Sequence, residues 1–312
     1  PEGLRQTGRR LDLTGFLLLM IAVGSLQLMI NRGEREDWFD STEIIIEAAV
    51  AVAGFYMFVV HTVFAKQPFL NLALLRNRNY LAGILLVLIT GPTQYATVVI
   101  MPVMVQAVYN DPILTAGVIM TPRGIATIIS MAAAGWLMPR MDSRLMMIGG
   151  FIILIASNYL VAFFGAEVGF WQIMFASFGQ GMGMGFTLVP LTTITYSTLA
   201  PALRPEAAAF FNLCRGLSGA MSIAIIIAVL TRSTQSTRNF LVEFINPVRE
   251  LLYGSGLPIY WQTESLRGLT ALNVEVNHQA MLVGFQNSFM IMMIVPAVGI
   301  ILTLLLGKPK TS

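Results

Sequence analysis

The chain has 312 residues, of which 56% are hydrophobic and 11% charged, and its mean hydropathy is +0.73. Soluble domains carry roughly 25% charged residues, so this composition excludes a soluble cytosolic enzyme. A single cysteine, Cys214, excludes a disulfide framework and a cysteine-based zinc site. The pI of about 9.2 comes from basic residues at the ends of apolar runs, which does not indicate a nucleic-acid-binding face.

Long runs without charge are the main feature of the sequence. Six stretches of 18 residues or more contain no Asp, Glu, Lys or Arg, and two further runs are each interrupted by one arginine. A helix needs about 20 residues to cross a bilayer, so the pattern predicts an all-α polytopic membrane protein. Its eight predicted transmembrane helices lie at 13–31, 44–65, 79–105, 113–138, 145–165, 168–194, 207–231 and 279–306.

The basic residues between these runs predict the orientation. With the N-terminus in the cytoplasm, eleven Lys and Arg residues fall on the cytoplasmic side, and the opposite short loops hold only Arg32 and Arg35. Because Lys and Arg accumulate in cytoplasmic loops, both ends of the chain are expected there. The cytoplasmic parts would be the lead 1–12, the linker 66–78 and the tail 308–312. The lead has no initiating Met, and we expect it to continue from a longer polypeptide.

Segment 232–278 is the one substantial hydrophilic stretch, and this orientation places it outside the cytoplasm. It mixes charged and apolar residues, and Gly254, Gly256 and Pro258 interrupt it midway. It is predicted to form short amphipathic helices on either side of a turn, lying on the membrane face or against a partner. A solvated connector is the alternative.

Polar residues concentrate in the third and sixth predicted spans, whereas the first two spans are almost purely aliphatic. Polar groups within a membrane usually face a bundle interior or a water-filled path. Methionine adapts to ligands of irregular shape, so a path rich in methionine suits varied apolar compounds. The candidate substrate-path residues are Gln94, Tyr95, Met101, Gln106, Gln180, Met182, Met184, Thr192, Thr193 and Asn212.

Glycines alternate at 179, 181, 183 and 185, and therefore cover more than one helix face. They indicate either close packing of helices or local unwinding beside a translocation path. Prolines 92, 102, 122 and 190 each remove a backbone hydrogen bond within a span. Bent or broken helices of this kind are typical of transporters.

Two arginines lie inside predicted spans. Arg123 is near mid-membrane and Arg215 is closer to the cytoplasmic end of its span. Each needs a carboxylate, a carbonyl or water as partner, or must reach the headgroups along its own aliphatic stem.

His61 has no second His or Cys nearby, so it is interpreted as a packed or interfacial residue and no metal site is predicted. None of the sixteen acidic residues is central to a span, so the chain alone supplies no obvious proton-coupling group.

Several local motifs resemble those of a known family. Two of them are similar to motifs of the fourteen-span drug:proton antiporters of the major facilitator superfamily. The first is Arg9-Arg10-Leu11-Asp12-Leu13-Thr14-Gly15. The second is Pro122-Arg123-Gly124, followed by the stretch from Gly135 to Arg144. Pro190-Leu191-Thr192-Thr193-Ile194-Thr195 is also similar, most closely to the EmrB branch of the EmrB/QacA group. The resemblance covers nearly the whole chain in order.

The resemblance implies a domain organisation. Residues 13–65 would be two extra transmembrane helices. Residues 79–307 would form the six-helix C-terminal transporter half, which includes segment 232–278. The third and sixth spans would then line the central cavity. A cytoplasmic gate loop would be formed by Gly135, Arg140, Asp142 and Arg144. In this loop Pro139 replaces an acid of the family motif. The N-terminal half, with its proton-coupling acid, would precede this chain.

The function implied is proton-driven efflux of amphipathic drug-like compounds by alternating access, from a bacterial inner membrane. The only energy source would be the proton gradient, with no cofactor. An EmrA-like periplasmic adaptor and a TolC-like outer-membrane channel would complete a tripartite pump. Export of a physiological amphiphile, such as a fatty acid or siderophore, is the alternative. A membrane-embedded enzyme is a poor fit, because two histidines, one cysteine and no embedded carboxylate form a weak catalytic set. A purely structural role is also a poor fit, because the costly Pro, Gly and Arg residues inside the spans would serve no purpose there.

Overall fold

The structure, a computed structural model, describes residues 12–65, 69–165, 167–244 and 266–305. Every regular element in these ranges is helical, as the composition predicts. The helices are α1 (Leu13–Gly33), α2 (Thr42–Phe64), α3 (Leu72–Arg76), α4 (Arg78–Gly91), α5 (Thr97–Ala107), α6 (Ile113–Leu137), α7 (Ser143–Ala162), α8 (Phe170–Ser197), α9 (Arg204–Phe244) and α10 (Leu266–Leu305).

Helices α4 and α5 form one continuous rod, joined by a π-helical turn at Pro92–Ala96. Pro92 has no backbone N–H, so the carbonyl of Leu88 loses its partner within the helix. The Ser218 hydroxyl of α9 donates to this carbonyl at 2.7 Å. The irregular turn is therefore stabilised from a neighbouring helix, an arrangement often found at functional sites.

Seven of the described helices are long and apolar enough to cross a membrane. They are α1, α2, the α4–α5 rod, α6, α7, α9 and α10. The sequence predicts an eighth at 168–194, and α8 does occupy that position with 28 residues. It is not among the seven, because glycines, threonines and glutamines dilute its apolar content.

The last two long helices differ from the prediction. Helix α9 continues to Phe244 and α10 begins at Leu266, with 41 and 40 residues. The prediction of separate short helices within segment 232–278 is therefore wrong for 232–244 and 266–278; residues 245–265 lie outside the described part. Arg238 Nε donates to Asn277 Oδ1 at 2.7 Å and thereby joins the two extensions. Each adds 13 residues beyond its predicted span, about 20 Å of helix.

Helix α8 lies between α6 and α7, while α10 packs on α7 and α9. The α4–α5 rod contacts both α8 and α9. The hairpin formed by α1 and α2 joins this body through contacts between α1 and α9. This arrangement surrounds the polar middle sections of α6, α8 and the π-helical turn with other helices.

The alternating glycines of α8 are explained by packing against two neighbours. A Cβ at Gly181 would lie 2.2 Å from the Arg123 carbonyl oxygen of α6, and one at Gly185 would lie 1.9 Å from Ser130 Oγ. On the side of α7, a Cβ at Gly183 would lie 2.8 Å from the carbonyl oxygen of Gly150. Helix α8 is continuous from Phe170 to Ser197, so the local unwinding considered from sequence does not occur here.

Candidate functional site

Arg123 forms the centre of a buried polar network. It lies ten residues into α6 and is 6% exposed. Its Nη1 donates to Gln180 Oε1 of α8 at 3.2 Å, and its Nη2 donates to the Gln94 carbonyl oxygen in the π-helical turn at 2.9 Å. One guanidinium thus joins three separate elements in the middle of the helix bundle.

The network continues to α7 and α10. Gln180 Nε2 donates to Asn158 Oδ1 at 3.2 Å, and Asn158 Nδ2 donates to the Met292 carbonyl oxygen at 3.5 Å. Thr93 Oγ1 reaches that same carbonyl at 3.5 Å. Pro296 lies four residues after Met292 and has no N–H, so this carbonyl is available to side chains of other helices.

The network, defined as Thr93, Gln94, Arg123, Asn158, Gln180 and the Met292 carbonyl, contains one charged group. An arginine at the centre of a membrane helix costs about 2.5–3.5 kcal/mol on insertion scales. Each hydrogen bond to a charged group returns about 1.5–3 kcal/mol, so the two acceptors offset that cost. Among the described residues, Gln94 Nε2 is buried without a hydrogen-bond partner. The site therefore retains one unused buried donor beside a cation.

The predicted substrate-path residues separate by exposure. Gln94, Met101 and Gln180 are buried, and the first and last of these bond to Arg123. Those that are half-buried are Tyr95, Gln106, Met182, Met184 and Thr192. Thr193 and Asn212 are exposed. The structure thus brings Gln94 and Gln180 together through Arg123 and leaves Thr193 and Asn212 on the surface of the chain.

Two path residues are held by local contacts. Tyr95 packs its ring on Gly219 of α9, where a Cβ would lie 3.1 Å from the ring. Gln106 Nε2 donates to the Pro102 carbonyl oxygen of its own helix at 3.1 Å. Tyr95 therefore positions α9 against the π-helical turn, whereas Gln106 stays within α5.

Arg215 differs from Arg123. It is half-buried, and it has no hydrogen bond to another residue in the part of the chain that the structure describes. The two arginines predicted together as intramembrane charges therefore do not share a site.

The predicted gate loop uses its charges locally. Asp142 caps α7 by accepting a hydrogen bond from the Arg144 backbone N–H at 3.0 Å. The Arg140 guanidinium lies 4.1 Å above the centre of the Trp136 ring. Gly135 is exposed on the last turns of α6. The loop is thus fixed to the ends of α6 and α7.

His61 contacts Asp12 at the junction of the first two helices. Its Nε2 lies 2.9 Å from Asp12 Oδ1, and the other carboxylate oxygen of Asp12 accepts from the Phe69 backbone N–H at 2.9 Å. Asp12 also caps α1 through Gly15 N–H at 2.9 Å. Within the described ranges, no group of three potential ligands could hold a metal ion. This cluster ties together the start of α1, the end of α2 and the segment that follows.

Replacing Asp12 by alanine is expected to destabilise this junction by about 1–3 kcal/mol, because one carboxylate serves both a helix cap and a long-range contact. Burial raises the pKa of Asp12, but hydrogen bonds from Gly15, His61 and Phe69 outweigh it, so the pKa lies below its usual value. A lowered carboxyl pKa stabilises the fold above the ordinary aspartate pKa, and that contribution is lost as the pH falls through the lowered pKa.

Thermal unfolding in detergent would measure this effect. The melting temperature of Asp12→Ala should fall clearly below wild type at pH 7, and the difference should shrink below about pH 4. The exposed Asp40 provides the control, since Asp40→Ala should melt like wild type. Equal melting temperatures for Asp12→Ala and wild type at pH 7 would contradict the assignment.

Comparison with known sequences identifies the family. The profile of the Major Facilitator Superfamily matches residues 11–223. The chain belongs to this superfamily. It is 32% identical over 244 residues to the multidrug export protein EmrB of Escherichia coli strain K12, covering 78% of this chain and 48% of that protein. It is 26% identical over 280 residues to the fatty acid resistance protein FarB of Neisseria gonorrhoeae, covering 89% of this chain and 55% of that protein.

A solved structure supports the fold. The chain superposes with a TM-score of 0.52 and 9% identity on a bacterial homologue of the human lysosomal transporter Spinster in an inward-facing, unoccupied conformation. The match covers 93% of this chain and 66% of that one. The chain is thus a multi-pass membrane protein of a transporter family, not an enzyme, related to EmrB-type multidrug exporters. It spans about half the length of the curated relatives it matches.

Proposed function

We propose that this chain is the C-terminal portion of a proton-driven exporter that moves amphipathic, drug-like compounds by alternating access. The supporting observation is the Arg123 network, which joins five helical segments inside the helix bundle around the π-helical turn. Transporters place their binding sites near the bilayer midplane, where helices are broken or bent. The similarity to EmrB supports drug-like substrates.

We include α8 as an eighth transmembrane crossing. Its 28 residues extend for about 42 Å, more than the hydrocarbon core of about 30 Å. It packs between α6 and α7, which are both long and apolar enough to span. In this proposal 13–65 is the extra helix pair, 66–78 a linker, and 79–307 the six-helix half. The ends 1–12 and 308–312 are cytoplasmic in an inner membrane, as the basic residues favour.

Direct substrate contacts are assigned to the path residues that retain exposed surface. These are Tyr95, Gln106, Met182, Met184, Thr192, Thr193 and Asn212. Gln94, Met101 and Gln180 are enclosed by other helices, so we assign them to holding the path in shape. The proton-coupling acid is expected outside these residues, since none of the acidic side chains here is central to a span.

Thr193→Val tests the assignment of direct contacts. The Thr193 side chain is exposed, and its hydroxyl donates to the Val189 carbonyl oxygen four residues earlier in its own helix at 3.0 Å. Losing one polar contact worth about 1 kcal/mol should shift export of some dyes several-fold and leave others unchanged. Dye export by the full-length protein in inverted membrane vesicles would measure this.

The matched control is Thr270→Val. Thr270 is likewise exposed and donates to the Leu266 carbonyl oxygen four residues earlier at 2.8 Å, but it lies on the α10 extension. It should leave all dyes unaffected. Identical dye profiles for Thr193→Val, Thr270→Val and wild type would remove Thr193 from the path.

The extensions of α9 and α10 are proposed to contact a periplasmic adaptor of the EmrA-like type, within a pump completed by a TolC-like outer-membrane channel. Both extensions carry exposed apolar side chains, including Val242 at 47% and Val274 at 62% exposure. Val274→Glu should reduce adaptor co-purification while dye export in adaptor-free vesicles is retained. An unchanged yield of adaptor would count against this contact.

Export of a physiological amphiphile is the second candidate. The similarity to FarB, a fatty acid resistance protein, favours a fatty acid over a siderophore as the first compound to test. The same vesicles would separate the candidates, because a fatty acid that competes with every exported dye indicates one shared path. A fatty acid that is exported while dyes are not would replace the multidrug proposal.

A further inference from the structure

A cavity of about 360 Å³ lies between α1 and α9, apart from the Arg123 network. Its walls are Phe16, Leu19, Met20 and Val23 of α1 and Phe210 and Leu213 of α9. This volume is within the range of small-molecule sites, about 300–1,000 Å³. It separates the predicted extra helix pair from the six-helix body, and no residue predicted for the substrate path lines it.

We propose that this cavity binds the alkyl chain of a single-chain amphiphile taken from one leaflet of the bilayer. The lining of α1 extends over the twelve residues from Phe16 to Gln27, which are about 16 Å apart along the helix. That length matches the depth of one leaflet, since the hydrocarbon core is about 30 Å thick. At roughly 30 Å³ for a methylene, close to the volume of a liquid water molecule, the cavity holds about twelve methylene groups.

The cavity is continuous with the lipid-facing surface. Phe16 and Met20 line it and are 42% and 51% exposed. In the proposed site, this apolar helix surface faces the acyl chains of the bilayer. A chain can therefore pass sideways from the leaflet into the cavity without crossing water. One chain fills the space, so a two-chain lipid would leave its second chain outside.

The end of the cavity near the start of α1 is closed by a fixed aromatic pair. The rings of Phe16 and Phe69 have centroids 5.7 Å apart, and the backbone N–H of Phe69 donates to Asp12 at 2.9 Å. Two residues later, the backbone N–H of Asn71 donates to the Glu206 carboxylate of α9. These contacts hold α1, the linker and α9 together, so the cavity is a built feature of the fold.

The site rests on the proposed export function, for which it supplies the point where an amphiphile leaves the bilayer. Gly24 gives a direct way to block it, because Gly24 lines the cavity and an added Cβ there meets nothing within 4 Å. Gly24→Leu therefore adds an apolar side chain at the cavity wall, and its Cβ displaces no neighbour. Gly149→Leu on α7 is the matched control, since a Cβ there also meets nothing within 4 Å.

The test is photolabelling of the full-length protein in vesicles with a 12-carbon fatty acid carrying a diazirine in its chain. We expect labelled peptides from α1 and α9, competed by unlabelled dodecyl amphiphile. Labelling should fall at least about tenfold in Gly24→Leu, since each displaced methylene contributes roughly fourfold to binding. Gly149→Leu should label like wild type.

Equal labelling of Gly24→Leu and wild type would overturn the proposal. The proposal would also be overturned if a diacyl phospholipid carrying the same diazirine labelled α1 and α9 and the fatty acid did not. A two-chain membrane lipid would then be the occupant. Labelling needs no proton gradient and no export. Labelling of α1 and α9 without export would therefore support the cavity site and contradict the proposed export function. Export without labelling of α1 and α9 would contradict the cavity site alone.

Discussion

Replacing Arg123 by methionine is expected to reduce export at least tenfold while leaving folded protein in the membrane. The change removes two charge-assisted hydrogen bonds, worth about 1.5–3 kcal/mol each. It also removes an insertion cost of about 2.5–3.5 kcal/mol, so the net loss of stability is small. The π-helical turn and α8 nevertheless lose the side chain that joins them through Gln94 and Gln180. Dye export in inverted vesicles, normalised to the amount of folded protein, would measure the loss.

Arg123→Lys separates charge from geometry. Lysine retains the cation but lacks the planar fork that reaches the acceptors on α8 and on the π-helical turn together. Export should therefore be intermediate between wild type and Arg123→Met. The exposed Arg35 supplies the control, because Arg35→Met removes an arginine outside the network. Export by Arg123→Met at the level of Arg35→Met would show that the network has no role in transport.

The sequence predicts the helix boundaries well where charge marks them. Predicted spans 113–138 and 145–165 differ by only a few residues from Ile113–Leu137 and Ser143–Ala162. The predicted boundaries of α9 and α10 are wrong. A mixture of charged and apolar residues is as compatible with one long helix that leaves the membrane as with short amphipathic helices. Contacts such as that between Arg238 and Asn277 hold these extensions together, and no local pattern reveals such a pairing.

The candidate site was predictable in part. Gln94, Arg123 and Gln180 are identifiable from sequence because polar groups are rare in apolar runs. Their mutual contact depends on the packing of α6 against α8 and on the π-helical turn, which the sequence does not encode locally. Asn158 is a missed member, and its signal was a lone amide in an apolar span.

The Met292 carbonyl could not be identified from its own side chain. Its role arises from Pro296 four residues later, which leaves a backbone acceptor free for Thr93 and Asn158. Prolines within predicted spans are therefore useful pointers to the carbonyl of the preceding turn. The same reasoning links Pro92 to the Leu88 carbonyl and its donor Ser218.

Gly181→Ala is expected to have the largest effect on folding. The added Cβ would lie 2.2 Å from the Arg123 carbonyl oxygen and 2.9 Å from Ala126 Cβ. A backbone oxygen within α6 cannot rotate away, so α6 and α8 must separate, and the Thr127 hydroxyl then loses its 3.3 Å contact with the Gly181 carbonyl. Overpacking a tight contact costs typically 1–3 kcal/mol and sometimes more. We expect a melting temperature lowered by several degrees or more and a smaller monodisperse fraction in detergent.

Gly149→Ala makes the same chemical change where there is room. A Cβ at Gly149 meets nothing within 4 Å, and alanine is favoured over glycine in a helix by about 1 kcal/mol. This variant should therefore be as stable as wild type or slightly more stable. The opposite signs of the two substitutions would locate the close α6–α8 contact at Gly181. If both variants melted like wild type, α6 and α8 would lie farther apart than described, and the hydrogen bond between Arg123 and Gln180 would be lost with that contact.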